Sequence, residues 1–305
     1  MDYTSKKSFA NKENMPKPNF LIVGASKSGT TSLAKYLNLH PQIFVPEKKE
    51  PRFLVSEAIK KVSKKDPSYG YLRKYSIFDL KSYLNLFEGR TEKAIGEGSV
   101  HYLYHYSTAI PNIVRHLGPE TKIIILLRNP VDRAISNWKY QDKDFLDFKS
   151  ALDKEEDRMN SNYNSFWYYK KSGFYYEQVK SYLENFKNVK IILFEDFVTK
   201  TDAVIRETFE FLDVQPDYKI ESFKQYNKST ITVIPKGNFF KFLFRSQKGV
   251  NLFKKLVKLA LIPKRFWADK KNMIDTQDKL FLKSSYLDDI EKLQVLLNRE
   301  LSNWI

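Results

Sequence analysis

The chain has 305 residues, 42% of them hydrophobic and 15% aromatic, which is enough apolar mass for one large α/β domain or two smaller ones. It contains no cysteine, which excludes disulfides, thiolate metal sites and cysteine nucleophiles. Its 52 basic and 36 acidic residues leave a formal charge of +16, which favours anionic partners, although a lysine-biased surface would give the same excess.

Residues 1–18 are polar, lack the apolar stretch of a secretory signal and end in "PKP". They predict a disordered arm ahead of one domain over 19–305, in a cytoplasmic protein. No run of about 18 apolar residues predicts a spanning helix. From Asn19 onward, short β-branched runs alternate with helical patterns. This is the signature of a three-layer α/β fold, a central parallel sheet flanked by helices. Strands are predicted at 19–24 (NFLIVG), 92–97 (EKAIGE), 122–128 (KIIILLR) and 189–195 (VKIILFE). Helices are predicted at 31–39, 79–87, 107–117, 131–141, 173–186, 201–212 and 285–301. Asn129 and Pro130 read as N-cap and first residue of the helix at 131–141.

The first strand runs into "GASKSGTTS", Gly24 to Ser32. The spacing of Gly24 and Gly29 is that of a phosphate-binding loop, G-x-x-x-x-G-K-[ST], but Thr30 stands where the lysine belongs and Lys27 lies inside the loop. The fold is therefore expected to be like that of the P-loop nucleotide triphosphatases. Lys27, Ser28, Gly29, Thr30, Thr31 and Ser32 are the expected anion-binding residues, since glycine admits a phosphate to the backbone and helix-start amides point at it. The strand at 122–128 ends in Arg128, where such a hydrolase keeps a magnesium-binding aspartate. Asp132 falls inside the following helix. Arg128, with Ser136 two turns on, offers a second phosphate grip. Arg133 reads as a surface residue or salt-bridge partner. Two grips and no metal acid suggest a nucleotide phosphorylated at two places, held without a metal.

His101 and His105 have the i, i+4 spacing of a helical metal pair, but the glycines and aromatics around them suggest a strand-end loop instead. Residues 236–271 carry eleven lysines and arginines against one acid, Asp269, laced with phenylalanines and Trp267. Such a basic, aromatic-rich helical segment either lies on an anionic membrane surface or packs its apolar face on the core.

Taken in order, these motifs resemble the sulfotransferases that use 3′-phosphoadenosine 5′-phosphosulfate (PAPS), nearest to the bacterial and heparan-sulfate-type carbohydrate branch. "FLIVGASKSGTTSL" resembles the family's 5′-phosphosulfate loop and "IIILLRNPVDRAISNW" its 3′-phosphate motif. "HPQIFVPEKKEPRFL", "GEGSVHYLY" and "GFYYEQVKSYLENF" resemble further family segments, from about Asn19 to Trp304. The resemblance implies transfer of a sulfuryl group to a hydroxyl or amine, without a metal. It puts Lys27 on the family lysine, Arg128 and Ser136 on the 3′-phosphate anchors, and Glu50 on the catalytic base. His101 is a second candidate base. Arg52, Glu97 and Ser99 are expected at the acceptor, Glu97 either orienting it or anchoring the cofactor loop, with Arg52 in place of the usual histidine and Val100 in place of a proline. The late cofactor-covering loop matches poorly, with Asn227, Lys228, Lys236 and Gly237 as its candidates. The implied acceptor is a sugar or glycan, and an anionic or lipid-linked one would suit the basic surface. A P-loop kinase of a small metabolite and a non-catalytic polyanion-binding module are the competing readings. Nucleic acid is not favoured, because no base-reading motif is present.

Overall fold

The computed structural model describes residues 15–223, 233–235, 249, 252, 255–256, 267–270 and 274–305. Four of its strands are the predicted runs: β1 (Phe20–Gly24), β3 (Ala94–Gly98), β4 (Lys122–Leu127) and β5 (Val189–Leu193). A two-residue strand, β2 (Ile43–Phe44), is too short to leave a sequence pattern. These five form one sheet in the order β2-β3-β1-β4-β5, all neighbours parallel.

Alternation along the strands assigns the two faces of the sheet. Leu21, Val23, Ile123, Ile125 and Leu127 enter one apolar cluster. Phe20, Ile22, Ile124 and Leu126 enter the other. All nine side chains are 0% exposed, so both faces must be covered. Helices α1 (Thr30–Leu37), α11 (Phe194–Thr199) and α12 (Thr201–Phe211) supply the second cluster through Leu33, Leu37, Phe197, Ile205 and Phe209.

Between β2 and β3 lie three short helices, α2 (Ser56–Lys60), α3 (Tyr69–Tyr75) and α4 (Leu80–Leu84). Helices α5 (His101–Tyr104) and α6 (Tyr106–His116) follow β3, and α7 (Pro130–Tyr140) follows β4. Helices α8 (Phe148–Asp153), α9 (Glu155–Asn160) and α10 (Tyr176–Asn185) precede β5. The first cluster gathers residues from these helices and from the C-terminal helix, Thr276–Leu297. That last helix begins nine residues before its predicted start, on an Asp275 side chain that accepts from Gln277 N. The expected three-layer α/β arrangement is thus present.

The α7 start is as predicted: Asn129 Oδ1 accepts from Val131 N at 3.0 Å and Asp132 N at 3.3 Å, with Pro130 in the first position. His101 and His105 depart from expectation, because His101 opens a short helix directly after β3. No group of three or more possible metal ligands occurs among the described residues. No described helix is long and apolar enough to cross a membrane.

Most of the 236–271 segment and residues 1–14 of the N-terminal arm lie outside the described residues. Its described edges are ordered against the rest. β6 (Val233–Pro235) pairs antiparallel with β7 (Trp267–Asp269). Lys270, fully buried, donates to Trp138 O at 2.8 Å and Gln141 O at 2.7 Å. It thereby adds a charged donor to the carbonyls at the end of α7, where Trp138 O also accepts from Gln141 N at 3.2 Å.

Candidate active site

Strand order places the topological switch at the carboxyl end of β1, where the chain leaves to β2 and β3 on one side and β4 and β5 on the other. There the register of β1 against β4 slips between Ile22 and Gly24. The bulge turns the chain out of the sheet into the loop 25–29. Lys27 at φ 67° and Gly29 at φ 92° both adopt the left-handed region. A Cβ on Gly29 would also meet Phe197 at 3.2 Å, so glycine is required there.

The loop has the features of an anion site. Gly29 caps α1 with no side-chain acceptor, and although Ser32 N donates to Gly29 O at 2.9 Å, no side chain caps the amides of Thr30 and Thr31. Ser28 is 0% exposed and its Oγ has no hydrogen-bond partner among the described residues. Thr30, Thr31 and Ser32 are half-buried at the same helix start.

Two cations meet at the loop. Arg128, at the end of β4, donates from Nη1 to Lys27 O at 3.2 Å and lies 4.5 Å above the Phe194 ring. Burial first, and then the charge of Arg128, pull Lys27 down to about 8 from its usual 10.5. Among the described residues neither has a carboxylate partner. Adjacent, partly buried and unpaired cations are costly unless an anion joins them. The Lys27 Nζ rests 3.9 Å from the centre of the exposed Tyr140 ring. Ser136 is half-buried one turn before Tyr140 on α7, so both share a helix face.

Arg133 departs from the sequence reading. It is 0% exposed, donates to Tyr169 O, and reaches Ser26 Oγ in the loop at 3.4 Å. A charged residue four positions into an amphipathic helix reads as solvent-facing. Its acceptor, 36 positions away in a loop, leaves no sequence signal.

Across the cleft, Glu50 and Arg52 hold left-handed backbones at φ 54° and 55° on either side of Pro51. Such conformations are strained in non-glycine residues and cluster at functional loops. Glu50 Oε1 accepts from Val100 N at 3.3 Å, and Oε2 lies 3.2 Å from His101 Nδ1 and 3.7 Å from Arg52 Nε. Burial raises the Glu50 carboxyl, but His101, where its Nδ1 carries a hydrogen, Arg52 and the Val100 amide together bring it below its usual value.

A cleft of about 310 Å³ is lined by Thr30, Thr31, Lys35, Lys48, Lys49 and Glu50. The loop and the carboxylate therefore open into one space. Three expected contact residues do not reach it. Glu97, 1% exposed, accepts from Tyr102 Oη at 2.6 Å, Ser99 Oγ at 3.0 Å and Tyr83 Oη at 3.3 Å. Ser99, 0% exposed, accepts from Arg52 N at 3.2 Å. Both brace the Arg52 loop from inside. Arg52 is 3% exposed and donates from Nη1 to Glu50 O at 2.9 Å, so it too holds the loop. His101, 2% exposed, faces a separate chamber of about 20 Å³ behind the phosphate loop, with Ser26, Ser165 and Gln178. Asn227, Lys228, Lys236 and Gly237 lie outside the described residues.

A glycine loop at a sheet switch point thus shares a cleft with an oriented carboxylate in an α/β fold. Residues 17–241 match the sulfotransferase domain model. A solved sulfotransferase from Alicyclobacillus acidocaldarius is 32% identical, covers 95% of this chain and 99% of its own, and superposes with a TM-score of 0.73. The membrane-associated sulfotransferase kil1 of Dictyostelium discoideum is 34% identical over 40% of this chain and 23% of that protein. The human bifunctional heparan sulfate N-deacetylase/N-sulfotransferase 3 is 24% identical over 94% of this chain and 31% of that protein. The chain thus spans less than a third of either of these two curated relatives. It belongs to the sulfotransferase domain family, a class of PAPS-dependent enzymes, related to both its bacterial and its carbohydrate-modifying members.

Proposed function

We propose that this chain transfers a sulfuryl group from PAPS to a hydroxyl or amine of a carbohydrate acceptor. The observation that carries the reading is the shared cleft: Thr30 and Thr31 of the phosphate loop and Glu50 line the same space. PAPS, when bound, supplies a sulfuryl group joined to a phosphate that leaves as an anion. The uncapped start of α1, the orphaned Ser28 hydroxyl and the unpaired Lys27–Arg128 pair fit such a ligand. In this reading the loop amides with Ser28, Thr30, Thr31 and Ser32 hold the 5′-phosphate, and Arg128 with Ser136 holds the 3′-phosphate. Lys27 neutralises charge developing on the departing oxygen, a preorganised contribution worth about 3–4 kcal/mol. Glu50 takes the acceptor proton.

The likeness to P-loop nucleotide triphosphatases is, in this reading, local to the strand-loop-helix unit. Lys27 stands inside the loop because a phosphosulfate, and no metal-bound phosphate pair, is to be gripped. Lys35, Lys48 and Lys49 along the cleft suit an anionic glycan. Burial and the neighbouring Lys35 lower Lys49, as expected of a lysine that awaits a negative partner. The relatives named for heparan sulfate point to the same acceptor class.

The test incubates the full chain with radiolabelled PAPS and an N-desulfated heparan polysaccharide. Label should pass to the polymer, and Glu50→Gln should cut transfer at least about 100-fold. The same variant should keep its thermal stabilisation by 3′-phosphoadenosine 5′-phosphate (PAP). Near-normal transfer by that variant rejects Glu50. Stabilisation by ATP with Mg²⁺ but not by PAP rejects the reading in favour of a kinase.

A further inference from the structure

The hydrogen bonds around His101 fix where its protons sit. Its Nε2 lies 3.0 Å from Asn164 Oδ1. The same atom faces the backbone N–H of Phe166 at 3.4 Å. A backbone N–H only donates, so the amide turns its oxygen this way, and Nε2 carries the hydrogen. Asn164 is held in this pose by Asp66, whose carboxylate accepts from Asn164 N at 2.5 Å and from Trp167 Nε1 at 3.0 Å.

A neutral imidazole with its hydrogen on Nε2 presents a bare lone pair at Nδ1. That lone pair sits 3.2 Å from Glu50 Oε2, acceptor against acceptor. One hydrogen, on Arg52 Nε, serves both: it is 3.3 Å from Nδ1 and 3.7 Å from Oε2. The trio is one hydrogen short of a satisfied buried network.

We infer that this gap is the resting place of the proton removed from the acceptor, and that His101 is a positioning residue completing the Glu50 base. The inference rests on Glu50 acting as that base. As the acceptor's oxygen or nitrogen bonds to sulfur, its O–H or N–H bond breaks and the proton passes to the Glu50 carboxylate. It then lies between Oε2 and Nδ1, and nothing is oxidised or reduced. His101 does not touch the cleft, so it acts only through Glu50.

The surroundings keep the gap open until turnover. Burial lowers the imidazole, and Arg52 adds to this, while Glu50 and Asn164 oppose it. His105, half-buried four residues on, is itself pulled down to about 3 by partial burial and by His101. Glu97, raised to about 7 chiefly by burial, faces Glu50 from β3. Lys49 faces Glu50 from the cleft side, and Tyr104, raised to about 12, lines the chamber with His101. The residue on Nε2 is a neutral amide. A carboxylate there would keep the imidazole charged and fill the gap before any substrate arrived.

Nitrogen NMR of the full chain, labelled at its four histidines and saturated with PAP, reads the gap directly. His101, assigned through His101→Gln, should show the Nε2–H tautomer at neutral pH. Glu50→Gln places an amide donor against Nδ1 and should lower the His101 titration midpoint by about one pH unit or more. Asn164→Asp should raise it by a similar amount. An Nδ1–H tautomer, or a midpoint that neither variant moves, overturns the inference. These readouts need no acceptor, so their failure leaves sulfuryl transfer, measured separately, standing.

Discussion

Lys27 should weaken the empty protein that it equips for binding, and Lys27→Met exposes this. Burial and Arg128 lower Lys27 from 10.5 to about 8. At about 1.4 kcal/mol per unit, its charge costs the unliganded fold on the order of 3 kcal/mol. Solvent reaching the half-buried site screens part of this, leaving about 2 kcal/mol. Methionine removes the charge but also the contact over Tyr140, worth about 0.5–1 kcal/mol. The net gain of about 1 kcal/mol should raise Tm by roughly 2–4 °C. The sign follows from linkage: the cost is full below pH 8 and is relieved as pH rises from about 8 toward 10.5. The native chain should therefore gain more stability across that window than the variant, in which Lys270, also lowered to about 8 by burial, still contributes. With PAP present the order reverses, because losing one charge-assisted contact of about 1.5–3 kcal/mol weakens PAP by roughly 10- to 150-fold. Differential scanning fluorimetry from pH 7 to 10, with and without PAP, measures all three quantities. An unliganded variant less stable than the native chain, or an undiminished PAP shift, refutes the reasoning.

Other consequences are as direct. Glu97, raised to about 7 from 4.5, stabilises the fold most below pH 4.5 and loses that contribution as pH rises through 7. Urea unfolding of Glu97→Gln should lack the native chain's decline between pH 5 and 7.5. Gly96→Ala puts a Cβ 2.5 Å from the Phe20 ring, and urea unfolding should show a loss of about 1–3 kcal/mol from overpacking. Arg133→Met strands the Tyr169 carbonyl and frees Ser26, so chemical denaturation should show a loss of roughly 1–3 kcal/mol and calorimetry a weaker affinity for PAP.

The sequence made legible what depends on local pattern. β4 reads as a buried strand because Ile123 to Leu127 are consecutively apolar, as a strand covered on both faces requires. Asn129–Pro130 reads as a helix start because capping chemistry is confined to three adjacent residues. The loop is legible because only glycine tolerates its backbone at Gly29. What stayed hidden depends on distant pairings. Arg133 is committed to the carbonyl of Tyr169, and Glu97 to hydroxyls 5 and 14 positions away on other elements. Asn164 and Asp66 sit in loops without periodicity and meet 98 positions apart. A charged side chain carries the same letter whether it lines a cleft or braces its wall from behind. The sequence therefore gives no sign that Glu97, Ser99 and Arg52 are buried behind the cleft wall.

The pairing of β6 with β7 has a consequence for the sequence between them. Val233 stands opposite Asp269 and Pro235 opposite Trp267, so the excursion leaves and re-enters the framework at one point. Lys270, immediately after that point, is pinned beneath α7. The two ends of that stretch are thereby held together, and the entropy of closing such a stretch changes only slowly with its length. Changes of length between Pro235 and Trp267 should therefore cost the β6–β7 pairing little.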